Sequence, residues 1–239
     1  MNNTEEKKLT VILEKYIGKL CPVCGIIPLI SCFLVNGLVY WGTQLICMGR
    51  YHYDFTTDFD RMVPFQSGWV SIYVLSYIFW IIGYVMAARF NTKDNFYRFV
   101  FSDMLSRIIC MVIFIAVPTT NLRPSVTDDM ALSWLMKCIY NADLPTNLFP
   151  SIHCLVSLMC FLGVYKSKDV SRWAKTAILM FAVLVFASTQ FTKQHYIVDV
   201  FGGVIVALVA YKIGNSTNWY RGLMKFFDRI NILIFGKDY

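Results

Sequence analysis

The sequence predicts an all-α polytopic membrane protein: a bundle of six transmembrane helices, an interfacial helix between the third and fourth spans, and amphipathic tails. Three observations carry this. Of 239 residues, 57% are hydrophobic and only 15% charged, where soluble domains average about 45–50% and about 25%. Six apolar stretches stand at 25–48, 69–88, 99–117, 151–165, 173–191 and 196–213, most of them close to the roughly 20 residues that cross a bilayer. They use nearly all of the chain, so residues 1–239 are expected to form a single integral-membrane domain. Finally, the basic residues are lopsided. Sixteen Lys and Arg fall in the N-tail, the second-to-third and fourth-to-fifth connections and the C-tail, while five (Arg50, Arg61, Arg123, Lys137, Lys193) fall on the other side. The positive-inside rule then puts both termini in the cytoplasm.

Each element follows in order. Leu9, Ile12, Tyr16 and Leu20 share one helical face of the N-tail. Glu5, Glu6, Lys7 and Lys8 precede any long apolar run, so the first span is expected to be retained and not cleaved as a signal. Cys21-Pro-Val-Cys24 has redox-like spacing, but no second pair or nearby His completes a four-ligand site. Most of the eight cysteines sit in apolar runs, as small hydrophobes. His52, among Tyr51, Tyr53 and Asp54, belongs to a solvated aromatic rim. Asp103 and Arg107, spaced i, i+4 in the third span, neutralise each other inside the bundle.

The longest connection runs from Pro118 to Pro150, and loops of this length tend to be lids or binding segments. Thr127, Asp128 and Asp129 mark a helix start there, and Ala131, Trp134, Leu135 and Cys138 make an apolar stripe. A short helix lying on the membrane is expected. The fourth span covers only about 22 Å, so its start at Ser151 lies below the membrane surface. Gly202-Gly203 in the sixth span permits close helix packing. In the C-tail, Trp219, Leu223, Phe226, Ile230 and Ile234 oppose Arg221, Lys225 and Arg229, the pattern of a helix in the headgroup layer.

The chemistry concentrates at one membrane level. His153 lies near the start of the fourth span and His195 opens the sixth, with Asp199 four residues later. On a helix the last two side chains share a face. The carboxylate can then accept a proton from one imidazole nitrogen and leave the other lone pair for a substrate, the orienting geometry of a catalytic dyad. A helix–helix hydrogen-bonding pair would also explain His195 and Asp199, but not His153 and Arg123 at the same level. Carboxylates inside spans usually mark functional paths.

Arg123-Pro124, Pro150-Ser151-x-His153 and Ser188-x6-His195-x3-Asp199 together resemble the three-part signature of the type-2 phosphatidic acid phosphatase superfamily, K-x6-R-P, P-S-G-H and S-R-x5-H-x3-D. The resemblance covers the chain from about the third span to the sixth, within which the catalytic motifs occupy residues 123–199. Ala116, Ile152 and Thr189 stand where the family has Lys, Gly and Arg, so two phosphate-binding cations are missing. Lys193 is placed to supply part of that charge as a point cation. The variant form resembles the branch that includes inositol phosphorylceramide synthases and sphingomyelin-synthase-like enzymes, which move a phosphorylated headgroup between lipids.

The resemblance implies a lipid phosphatase or phosphotransferase. His195 is the nucleophile, held by Asp199, and His153 is the general acid and base. Arg123, Ser151 and Lys193, with N–H groups at the start of the fourth span, are expected to bind phosphate oxygens. Hydrolysis of a lipid phosphate is the leading expectation, headgroup transfer the alternative, and a proton-relay transporter a third. No cofactor is expected, and no metal: two His and an Asp could form a facial triad, but a ligated His is a poor nucleophile. The expected partners are a lipid phosphate substrate and the surrounding membrane lipids. The net charge of +7 is a topology signal and implies no nucleic acid, because the outer segments, with five basic and six acidic residues, are nearly neutral.

Overall fold

The computed structural model describes residues 15–16, 18–127 and 131–236. Among them the chain is mostly helical: α1 (Val23–Cys47), α2 (Asp58–Met62), α3 (Val70–Arg89), α4 (Lys93–Ala116), α5 (Ala131–Ala142), α6 (Ile152–Tyr165), α7 (Arg172–Phe191), α8 (Ile197–Ser216) and α9 (Tyr220–Phe235). A two-residue parallel ladder departs from the all-α expectation. Tyr53–Asp54 (β1) pairs with Thr119–Thr120 (β2), tying the first outer connection to the end of α4.

Five helices, α1, α3, α4, α7 and α8, are long and apolar enough to cross a membrane. The expected fourth span, α6, has 14 residues and falls short of that length at about 21 Å. It forms the centre of the bundle, with 11 of its residues buried against α3, α7 and α8. Lipid supplies no hydrophobic drive between helices, so small residues and interhelical hydrogen bonds hold them. A Cβ at Gly83 would stand 2.6 Å from the Cys160 side chain, and one at Gly163 2.9 Å from Ala87. Trp80 Nε1 donates to Ser157 Oγ at 2.9 Å, a third tie between α3 and α6. At the far end, Arg98 donates to the carbonyls of Gly214, Asn215 and Thr217, closing the C-terminus of α8.

Three expectations change in detail. The third span starts at Lys93, because Thr92 caps it by accepting from Asn95 N–H. In α5 the buried residues are Ser133 and Met136, while Ala131 and Trp134 of the expected stripe are exposed; the helix packs against the 3₁₀ turn Ser67–Trp69 and the start of α3. The C-terminal helix forms, but buries Tyr220, Phe227 and Phe235 against the bundle and leaves Trp219 and Phe226 exposed. Its apolar arc is wide enough for protein on one side and a membrane surface on the other. The N-tail face below Tyr16 and the Asp128-Asp129 helix start lie outside the described residues. The cysteines are free, and burial pushes the Cys21 thiol up to about 11.

Candidate active site

At one end of the bundle the starts of α3, α6 and α8 meet the ends of α1, α4 and α7. Gln66 N–H bonds Phe191 O, and Tyr53 N–H bonds Pro118 O. The approach of α8 to α6 depends on the two glycines. A Cβ on Gly202 would stand 2.4 Å from the Phe149 ring, and one on Gly203 2.4 Å from Ser151 O. Ser151 N–H then bonds Asp199 O at 3.0 Å. The Gly202-Gly203 expectation therefore matches the packing.

His153 sits in the first turn of α6 in an aromatic box. Its ring stacks on Tyr73 (centroids 4.4 Å apart) and lies 5.0 Å from Trp80, and Nε2 faces Tyr77 Oη at 3.5 Å. The His195 ring is 5.6 Å away, tilted by 53°. Both histidines line one cavity of about 500 Å³ between α1, α3, α4, α5 and α6.

His195 is not on the helix, as the i, i+4 reading has it. It lies in the turn before α8, with Tyr196 as N-cap. Asp199 is in the first helical turn and accepts the Tyr196 N–H at 2.8 Å. The cap brings the carboxylate back toward the preceding residue, so Asp199 Oδ2 faces His195 Nδ1 at 3.6 Å. That is longer than a hydrogen bond, and Nδ1 has no other partner among the described residues. Apo sites often tighten such contacts only with substrate. The His195 backbone is held by Thr189 O and by Gln190 Nε2.

The remaining expected residues surround this pair without lining the cavity. Arg123, nine-tenths buried, donates to the carbonyls of Tyr140 and Asp143 and to Gln194 Oε1, faces the Asp143 carboxylate at 3.7 Å and stacks over Tyr140. Ser151 is the buried N-cap of α6, and its Oγ accepts from Cys154 N–H at 3.3 Å. Lys193 has a left-handed backbone, φ 53°, and its Nζ donates to the carbonyls of Asp60 and Val63 at 2.6 Å each. Burial holds its ammonium below the ordinary lysine range, partly offset by Asp60. Burial pushes the Tyr140 phenol up, against the lowering pull of Arg123.

Motif reading does not single out Asp60, Asp143, Tyr40 or Gln194. Asp60 Oδ1 accepts the Ile197 N–H at the start of α8 at 2.8 Å, and its Oδ2 completes a capping box with Thr57. The T-x-x-D spacing was the available signal. Tyr40 donates to Asp143, which lines the cavity; no local pattern predicts a contact across 103 residues. Asp103 and Arg107 pair as expected, at 2.8 Å.

The model of the PAP2 superfamily matches residues 64–213, which include every one of these motif residues. The chain belongs to the PAP2 superfamily. The match extends over α3, which the motif resemblance left as a generic helix, and α1 lies outside it. No curated protein and no solved structure matches the chain. PAP2 proteins are in general phosphatases and phosphotransferases, which supports an enzyme of phosphatase-type phosphoryl transfer on lipid-like substrates for this chain. Among the described residues no three His, Cys, Asp or Glu side chains gather as a metal-binding group.

Proposed function

We propose that this PAP2 protein hydrolyses a phosphate monoester on a membrane lipid, phosphatidic acid or a related lipid phosphate, through a phosphohistidine. One observation carries the reading: two imidazoles from distant parts of the chain face each other at 5.6 Å on one cavity, with a carboxylate behind one of them. His195, with Nδ1–H directed to Asp199, attacks phosphorus through Nε2. The ester P–O bond breaks, and His153, which takes up a proton beside the negative charge of the bound phosphate, gives that proton to the departing alkoxide. Neutral His153 then takes a proton from water as its oxygen attacks phosphorus. The P–N bond breaks, releasing phosphate and neutral His195.

Arg123 is the phosphate's counter-ion in this scheme, reached by exchanging Asp143 for a phosphate oxygen. Ser151 and Lys193 would touch the same phosphate only by giving up their present bonds, and meanwhile they hold the starts of α6 and α8. The reaction is metal-independent. With both termini cytoplasmic, the site opens near the extracytoplasmic face.

Transfer to a lipid alcohol is a second reading. Phe33, Trp41 and Ile81 line the cavity and are at least 41% exposed on the bundle's outer surface. A cavity with an apolar side wall can admit a lipid alcohol as the resolving nucleophile in place of water. The test is phosphate release from phosphatidic acid by purified protein in detergent with EDTA. Turnover is expected with chelator and is expected to vanish in His195→Ala. Full turnover by that variant refutes the nucleophile, and labelled phosphate recovered on an added lipid alcohol favours transfer.

A further inference from the structure

The cavity continues past the histidines to a second polar end, where Asn36 of α1, Tyr84 of α3 and Arg107 of α4 form its wall. From Tyr77, beside His153, to Tyr84 is seven residues along α3, about 10 Å. Arg107 is 1% exposed. Its Nη2 bonds Asp103 and the Tyr84 hydroxyl at 2.8 and 3.3 Å, while its donors Nε and Nη1 have no partner, and neither do the acceptors Asn36 Oδ1 and Asp103 Oδ2. Buried donors and acceptors left unmade at membrane depth are costly and mark functional positions.

Charge selects what fits. Asp103 cancels Arg107, and Tyr84 donates to Asp103. A second anion here would stand uncompensated in a low dielectric, whereas a neutral oxygen acceptor satisfies the free guanidinium N–H groups without adding charge. The arginine side chain closes part of the 10 Å step. The remainder is what the glycerol backbone spans between a phosphate and its ester carbonyls.

We propose that the free N–H groups of Arg107, with the side-chain N–H₂ of Asn36 as a further donor, form a subsite for a neutral carbonyl oxygen on the backbone of the lipid whose phosphate lies between His153 and His195. The subsite rests on the lipid phosphate reading above. It makes the enzyme select acyl-linked over alkyl-linked or prenyl-linked lipid phosphates.

The test uses two non-hydrolysable phosphonates of equal chain length, a diacylglycerol phosphonate and its dialkyl ether analogue, titrated into purified protein in detergent. The wild type is expected to bind the diacyl compound about tenfold more tightly, the scale of one hydrogen bond to a charged group. Asn36→Leu, and the charge-neutral pair Asp103→Asn with Arg107→Gln, are expected to bring the ratio within about twofold by weakening the diacyl compound alone. Equal wild-type affinities, or a ratio preserved in Asn36→Leu and in the double variant, overturn the subsite. Should the double variant not fold, the wild-type ratio and Asn36→Leu decide. A tenfold ratio without phosphate release from phosphatidic acid refutes the phosphatase reading and leaves the subsite standing. Release without a ratio refutes the subsite alone.

Discussion

Replacing Gly203 with Ala tests whether the packing of α6 on α8 sets the distance between the two histidines. The new Cβ would stand 2.4 Å from Ser151 O and 3.3 Å from Leu155 N. Backbone cannot swing away as a side chain can, so the helices must separate by about 0.6 Å to reach even 3.0 Å. The contact lies two residues from His153, and the adjoining bond from Ser151 N–H to Asp199 O lies four from His195. The opening therefore passes into the site. Overpacking costs about 1–3 kcal/mol, offset by the roughly 1 kcal/mol of helix propensity that Ala gains over Gly. Net stability should fall by about 0–2 kcal/mol. A misplacement approaching 1 Å should cost about 10²-fold in turnover. Initial rates on phosphatidic acid and thermal unfolding in detergent measure both. Gly222→Ala in α9, with no atom within 4 Å of its Cβ, is the control, expected to keep full activity and equal or slightly higher stability. If Gly203→Ala retained wild-type turnover and melted no lower than the wild type, the packing argument would be wrong.

Three further outcomes follow from the site. Asp199→Asn keeps an acceptor for the Tyr196 N–H but removes the charge facing His195; kcat should fall about 10²- to 10⁴-fold with a melting shift of a few degrees at most, and retained kcat would remove Asp199 as the orienting group. Burial lowers the Lys193 pKa below 10.5, so the unfolded chain binds this proton more readily than the folded one. Stability relative to Lys193→Met should then rise with pH between the folded and unfolded pKa values and stay flat below that window, whereas a difference constant through the alkaline range would exclude the linkage. Asp143→Asn frees Arg123 from a competing carboxylate, and inhibition by inorganic phosphate should strengthen about two- to fivefold, the scale of a partly exposed ion pair; unchanged inhibition would take Arg123 out of the phosphate site.

The helical bundle was legible because span length and apolar content are dictated by the bilayer, and the histidines because polar groups in such spans are rare. The spacing from His195 to Asp199 was legible too, but its cause was not. A four-residue step suits a helix face equally well as a residue before an N-cap and one in the first turn, and only the Tyr196 cap distinguishes them. Burial on α5 and α9 was half legible for a related reason. Periodicity marks an apolar arc without saying which edge meets protein: Trp134 and Trp219, read as facing the membrane, are each 66% exposed, but nothing in the pattern picks out Ser133, Met136, Tyr220 and Phe227 as the residues that meet the bundle. Ser151 and Lys193 illustrate a third limit. Motif position nominates residues for a phosphate site, whereas their hydrogen bonds are settled by Gly203, Asp60 and Val63, which lie far away in sequence.

Those distant partners share an electrostatic logic. A site for a phosphate inside a bundle must offer positive charge, yet an unpaired cation at low dielectric is expensive when the site is empty. Here every cation near the histidines is engaged by a group of the chain itself: Arg123 by Asp143 and Gln194, Lys193 by two carbonyls, Arg107 by Asp103. They are not held equally. Lys193, Arg107 and Arg123 all make short hydrogen bonds within the frame, but the tie of Arg123 to its carboxylate is long: Asp143 stands 3.7 Å away and is shared with Tyr40. The weakest of these ties is therefore the one a phosphate can replace at least cost. On the proposed reading that makes Arg123 the cation that answers the phosphate, while Lys193 keeps the start of α8 in register and Arg107, neutralised by Asp103, has its free N–H groups left for a neutral acceptor.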